Sequence, residues 1–542
     1  MALSDNPTAG LGRGYAAGST REQRHELGEL EDHRGTWLKE LGHRDVELGA
    51  SFMNLLHRDR MNPSQDGRVT YLGRRFVTVV FATTIAIAAP WASPPAEAEN
   101  VPDPGVVTAQ VSVATAAPAT APMTQDLAGR AIAQRAPNPN YVVTPGIVFN
   151  HPFRGKKRGK IQRKIIKTLK NVPAGQTVRL MTWNFDSPLF TRKFIAAHKR
   201  GVSVQIIMAR GLARGQGPGR SYPTLRSALK NGNADRPKEL RSWIRTCSAT
   251  CRGKGGAMHS KLMLVSRSGA TSWIAMQGSG NFTGAAAVQQ FNDWTTITEN
   301  QSLYDGWMTM WNQAKKDKNA KPLRFTVPST TTPGATITSM FAPHRREIDP
   351  ALKVLNKVQC TGAANTPSGR TKVRIANAVW GDERGVQVAR KVRQLRDQGC
   401  DVRIVFMMMP LKIRNILAGL PAKQMVYITG ATANKFKDRY VHLKGLSVQG
   451  NLDGRKDGNA VLSSSENWTQ LGWHSDEQNI IVWDDPALAE KYADQVDLIY
   501  RQAPRSLANY VNSADPNGRV LPGTEFLAPE DYPFADLEAE LH

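Results

Sequence analysis

The sequence is short of acidic residues, of cysteine and of long apolar runs. Asp and Glu number 46 against 71 Lys and Arg, a formal net charge of +25. That balance argues for an anionic partner, such as nucleic acid, phospholipid head groups or a cell wall. There are only four cysteines, and an even count in an exported protein favours disulfides. A zinc site on Cys247 and Cys251 would be short of ligands, since the only nearby histidine is His259. The apolar run from Phe76 to Ala89 is shorter than the roughly 20 residues of a membrane-spanning helix. Neither a Gly-x-Ser-x-Gly elbow nor a Walker A loop occurs, which removes support for a serine hydrolase or a P-loop enzyme.

Apolar residues make up 40% of the chain and twelve are Trp, enough for globular cores. Arg74-Arg75, the apolar run and Ala96-Glu97-Ala98 read together as a signal peptide over residues 61–98, starting at Met61. Secretion to the extracellular side is therefore expected, with a non-cleaved anchor as the alternative. Residues 1–60 are then an over-long reading or a disordered extension. Residues 99–140 are rich in Pro, Ala and Thr and suit an extended linker. The folded part is expected as two halves, 141–325 and 346–502, joined through 325–345 and followed by a tail over 503–542.

The halves repeat one order of elements. Val178–Trp183 reads as a strand, Phe190–His198 as a helix stopping at Gly201, and Val202–Met208 as a strand. Thr371–Ala376, Gly385–Asp397 with Gly399, and Val402–Met407 repeat it. Strand, helix and strand with a glycine stop is a βαβ unit, so each sheet is partly parallel. The segments 211–256 and 407–438 look irregular and lead into the motifs below, as lids or binding loops do. From His151 to Lys170 the chain is strongly basic, with Ile161, Ile165 and Leu169 spaced as on an amphipathic helix. That run reads first as a solvated helix face and second as a phosphate-facing patch.

The chemistry sits in a second repeat. His259-x-Lys261 and His442-x-Lys444 are the only two of eleven histidines followed by Lys at this spacing. Each triplet enters a strand-like segment, so imidazole and ammonium share one face. Each has a matching tail: Ser279, Asn281 and Asp293 after the first, Ser465, Asn467 and Glu477 after the second. Two imidazoles and two ammoniums suit attack on a phosphodiester. One neutral His can attack phosphorus and the other, as imidazolium, can protonate the leaving oxygen. Lys261, Lys444, Asn281 and Asn467 would hold the non-bridging oxygens. Asp293 and Glu477 have the type and spacing to fix one imidazole tautomer each, and no metal or other cofactor is required.

His259-x-Lys261 with Gly278-Ser279-x-Asn281, and His442-x-Lys444 with Ser464-Ser465-x-Asn467, resemble the paired HKD motifs of the phospholipase D superfamily. The resemblance covers about 141–502. It implies an α/β fold of two tandem α/β/α sandwich halves, one bilobal unit with the site at their interface. It also implies a ping-pong phosphodiesterase with His259 as nucleophile and His442 as acid. Two departures stand out. Ser266 and Gln449 occupy positions where the family has Asp, and Ser464 stands where Gly is usual. With each cysteine pair inside one half, Cys247–Cys251 and Cys360–Cys400 are the expected disulfides.

The export signal, the single chain with both motifs and the length resemble secreted bacterial phospholipases D, with a phospholipid membrane as substrate and a monomer expected. Trp183, Trp380, Trp468 and Met407 to Met409 could offer surface for acyl chains, although core is the plainer reading for most of them. The alternatives are a secreted nuclease, suggested by Asn281-Phe282-Thr283 and the charge, and an inactive binder of anionic lipid or cell wall.

Overall fold

The computed structural model of the protein describes residues 136–210, 221–344, 346–427 and 439–507. The N-terminal extension, the signal peptide, the linker up to residue 135 and the tail from 508 lie outside them. Among the described residues, no helix is long and apolar enough to cross a membrane.

The expected βαβ unit forms twice. In the first half, strand Thr177–Thr182 runs parallel to Ser203–Met208, with helix Pro188–Lys199 as the crossover. Ser187 starts the helix by accepting from the Phe190 amide at 3.3 Å, with Pro188 in the first turn. Gly201, at φ +94°, reverses the chain after it. In the second half, Lys372–Val379 is parallel to Asp401–Met408, with helix Asp382–Asp397 between and Gly399 at φ +96°.

Each unit seeds a larger mixed sheet. The first has seven strands, in the order 146–149, 293–297, 271–278, 262–268, 177–182, 203–208, 243–246. The second has ten and runs 505–506, 422–424, 401–408, 372–379, 444–452, 455–464, 478–483, 336–341, 323–328, with 358–359 to one side. Both motif strands, Leu262–Ser268 and Lys444–Leu452, are therefore central and lie beside a βαβ unit.

Helices cover both faces of each sheet, as a sandwich requires. Phe190 and Phe194 pack on one face of the first sheet, and Leu303, Trp307, Met310 and Trp311 of helix Gln301–Ala314 on the other. Burying Leu303 and Met310 contributes about 2 kcal/mol each. In the second half, Val388, Val392 and Leu395 face Tyr492, Val496 and Ile499 across the sheet. Helix Gln301–Ala314 also touches Ile337, Phe341, Ile480 and Val482, so the halves share a core.

Three expectations need correction. Residues 325–345 are not a plain linker: Leu323–Pro328 and Thr336–Phe341 form a hairpin that extends the second sheet. Thr338, Ser339 and Met340 are buried there, which a free linker would not allow. The segment 211–256 contains helix Ser221–Lys230 and strand Trp243–Thr246. The segment 407–438 contains helix Leu411–Ile416 and strand Ala422–Gln424. Both were hidden by their glycines and basic residues, which break hydrophobic periodicity. Residues 211–220 and 428–438 lie outside the described ones.

Candidate active site

The two halves meet along two short parallel backbone pairings. Gln290–Phe291 of the first half pairs with Arg439–Val441 of the second, and the His442 amide donates to the Phe291 carbonyl at 3.0 Å. In the mirror arrangement Met258 bridges Asp476, and the His259 amide donates to the Asp476 carbonyl at 2.9 Å. Each histidine is thus delivered to the residue following its pairing partner: His442 to Asn292 and His259 to Glu477.

His259 and Glu477 are both buried, and His259 Nδ1 stands 2.8 and 3.0 Å from the two Glu477 oxygens. Ser465 donates its hydroxyl to the same carboxylate. A carboxylate accepts only, so His259 carries its proton on Nδ1. His442 Nδ1 lies 2.9 Å from Asn292 Oδ1, and Ser279 Oγ donates to that same oxygen at 3.0 Å. The arrangement is crossed: each imidazole is anchored by the other half, through a residue that a motif serine also holds.

Asp293 therefore does not support His442. It is fully buried and bonds the Ser279 amide at 3.0 Å and Ser463 Oγ at 2.6 Å, while burial pushes its carboxyl up from the ordinary value. Adjacent residues on an extended chain point to opposite faces, so Asn292 and Asp293 cannot both face the imidazole. The counterpart of Asp293 is Gln478, whose amide bonds Ser465 Oγ at 3.1 Å as the Asp293 amide bonds Ser279 Oγ at 3.0 Å. The connection from serine to anchor is 13 residues in the first half and 12 in the second. Matching carboxylate to carboxylate along the sequence selects the wrong neighbour.

Lys261 and Lys444 are completely buried. Each folds back onto its own triplet, with Lys261 Nζ 2.8 Å from the His259 carbonyl and Lys444 Nζ 3.0 Å from that of His442. Asn281 and Asn467 are buried in the turns after Gly278 and Ser464, just ahead of the short helices Gly284–Val288 and Gln470–His474. Among the described residues, Asn467 Oδ1 has no hydrogen-bond partner. A cleft lined by Trp183, Ala257, His259, Asn467, Thr469 and Glu477 opens onto the first histidine. The Trp183 ring meets His259 edge-on at 5.7 Å. Trp380 and Trp468 stack edge-on at 4.4 Å in the core, and Met407 to Met409 are buried, so none of these offers acyl surface.

The departures have local explanations. Ser266 Oγ bonds Gln176 and the Thr177 amide, each at 2.8 Å, at the end of its strand away from His259. A side chain at Gly278 would put its Cβ 2.1 Å from the Asp293 carbonyl, whereas Ser464 has room and accepts from the Glu466 amide at 2.7 Å.

Three groups had no visible motif. Asp476 accepts from the amides of Cys251, Arg252 and Gly253, and burial lifts its carboxyl to about 6. Glu466 lies between Ser465 and Asn467 and pairs with Arg384 at 2.9 Å; burial raises it to about 7. Arg384 also reaches Asp349 at 2.6 Å, and burial drives neighbouring His344 down to about 3. An acidic residue in place of Gly280 was the one sequence signal for this network. Cys247–Cys251 and Cys360–Cys400 are bonded as expected, which removes the zinc alternative. His474 is exposed.

Residues 165–311 match the family model described as cardiolipin synthase, PLD-like domain. That match lies within the first half. The second half repeats its βαβ unit, its motif strand and its anchored histidine. No curated protein matches the sequence. Among solved structures, the chain is similar to phosphatidylserine synthase of Haemophilus influenzae Rd KW20, at 12% identity and a TM-score of 0.49, covering 75% of this chain and 95% of that one. It is similar to Nuc of Salmonella typhimurium, a phospholipase D family member, at 18% identity and a TM-score of 0.25, covering 32% and 96%. It is also similar to polyphosphate kinase of Porphyromonas gingivalis, at 12% identity and a TM-score of 0.41. That match covers 66% of this chain and spans about half of the kinase, 50% of its length.

Proposed function

We propose that the protein is a secreted, metal-independent phosphodiesterase of the phospholipase D type that acts on phospholipids through a phosphohistidine. The observation that carries the reading is the crossed anchoring of His259 by Glu477 and of His442 by Asn292. With Nδ1 committed on both rings, Nε2 is the nitrogen that acts on substrate. His259 Nε2 attacks phosphorus and the bond to the head-group oxygen breaks. His442, as imidazolium, gives that oxygen its proton. Water then loses a proton to His442 and attacks phosphorus, and the P–N bond returns its electrons to His259. Glu477 offsets the positive charge that grows on His259. Lys261, Lys444, Asn281 and Asn467 carry the non-bridging oxygens.

Phospholipid is favoured because the matching family model describes a lipid synthase and because Trp183 offers an apolar wall beside His259. The two disulfides suit an oxidising compartment, as the expected signal peptide does. The net charge of +25 favours a second reading, a secreted nuclease. The test offers phosphatidylcholine vesicles and plasmid DNA in separate tubes, with EDTA, to the protein and to His259→Ala. Choline release that the variant lacks supports the lipid reading. Degraded DNA with untouched lipid supports the nuclease. Neither product from folded protein would point to an inactive binder.

A further inference from the structure

The two histidines are alike in sequence and unlike in partner. His259 faces a carboxylate, and His442 faces a neutral amide in the equivalent place. The amide of Asn292 is locked in one orientation. Its Nδ2 donates to Gln290 Oε1 at 2.9 Å and to the Ala286 carbonyl at 3.2 Å. Its Oδ1 accepts from Ser279 Oγ at 3.0 Å and stands 2.9 Å from His442 Nδ1. Flipping the amide would set an oxygen against two oxygens and an NH2 group against the Ser279 hydroxyl proton. Oδ1 therefore acts only as acceptor, and His442 holds a proton on Nδ1 in both its neutral and its charged form.

We propose that Asn292 is the positioning residue for His442, and that its neutral amide keeps His442 a stronger acid than the carboxylate-held His259, so dividing the roles of the two histidines. The proposal rests on the phosphodiesterase reading above for its consequence, though not for its chemistry. A carboxylate stabilises an adjacent imidazolium with a full charge, and an amide only with a dipole. The nucleophile gains from the carboxylate, because attack leaves positive charge on its ring. The acid gains from the amide, because it must part with a proton to an alkoxide. Among the described residues, the other ionisable groups around His442 do not restore the missing charge. Lys444 sets its Nζ on the His442 carbonyl and brings no carboxylate, and Tyr440 meets the ring edge-on at 6.2 Å. Arg439 turns its Nε to the Pro152 carbonyl at 3.2 Å. Asp293 points away to Ser279 and Ser463, with buried Tyr492 near it. Lys261, His259 and Glu477 belong to the opposite anchoring pair.

Asn292→Asp changes the charge with almost no change of shape. Histidine-selective NMR titration, with His442→Gln for assignment, should place the His442 midpoint about 1–3 pH units higher in Asn292→Asp, with His259 moving far less. First-turnover release of choline and of 4-nitrophenolate from matched phosphodiesters separates positioning from general damage, because 4-nitrophenolate leaves without a proton and the later hydrolysis step, in which His442 takes the proton of water, is not read. Choline release at neutral pH should fall on the order of ten-fold in Asn292→Asp and its alkaline limb should move up, while 4-nitrophenolate release holds. Asn292→Ser, which withdraws the acceptor without adding charge, should also lower choline release and spare 4-nitrophenolate. An unshifted His442 midpoint, or an equal loss for both leaving groups, overturns the proposal. If no phosphodiester is turned over, the functional reading fails and the NMR titration still decides the role of Asn292.

Discussion

At the scale of single residues, a side chain that touches substrate and one that holds that side chain in place fail differently when replaced. His259→Ala removes the proposed nucleophile and should lower turnover on the order of 10³-fold or more, read as initial rate of choline release at saturating substrate. Glu477→Gln keeps the shape of the pair and removes its charge. It should cost about 10²–10⁴-fold in kcat with a smaller effect on KM, because imidazole orientation matters most as charge develops. Glu466 lends itself to a pH test. Its folded value is raised to about 7 from 4.5, so its protonated form is favoured on folding. The stability it contributes is complete below about 4.5 and is lost as pH rises through about 7. His344 works the other way, since its value falls from 6.5 to about 3, so stability falls as pH drops through that window. Comparing Tm of the protein with that of Glu466→Gln isolates the first effect: the difference should grow in favour of Glu466 as pH falls from about 7 to about 4.5. The motif residues were legible in the sequence because they occur twice. Asn292 was not, because an amide does not stand out as a partner for histidine and the serine-to-anchor connection differs by one residue between the halves, 13 against 12.

At the scale of elements, the two disulfides do different work. Cys360 and Cys400 close a separation of 40 residues and Cys247 and Cys251 one of 4. Chain entropy then assigns about 4 kcal/mol to the first and about 2 kcal/mol to the second. Replacing Cys360 and Cys400 by Ala should therefore lower Tm more. Replacing Cys247 and Cys251 should lower activity more, because the amides of Cys251, Arg252 and Gly253 hold Asp476, the chain neighbour of Glu477. Thermal melts and choline release on both double variants check the crossover. The βαβ units and their glycine stops were readable from apolar strands and helix periodicity. Hairpin Leu323–Pro328 with Thr336–Phe341 was not, because Pro328 and the Thr-rich turn resemble linker composition while pairing with strand Gln478–Trp483 decides the outcome. A pairing partner 137 to 147 residues away leaves no local trace.

At the scale of the molecule, two similar halves make one site because each completes the other. Neither imidazole finds its anchor within its own half, so the proposed reaction depends on the seam as the packing does. Tandem repetition made this architecture legible, and the crossing of anchors became visible only with the parallel pairings at residues 258 and 476 and at 290–291 and 440–441. The most direct measurement is a quench of the protein with phosphatidylcholine labelled in the phosphatidyl group, followed by peptide mapping under alkaline conditions, with His442→Ala and His259→Ala alongside. The account predicts a phosphatidyl adduct on His259, enriched in His442→Ala and absent in His259→Ala. An adduct on His442, or steady turnover by His259→Ala, would contradict it.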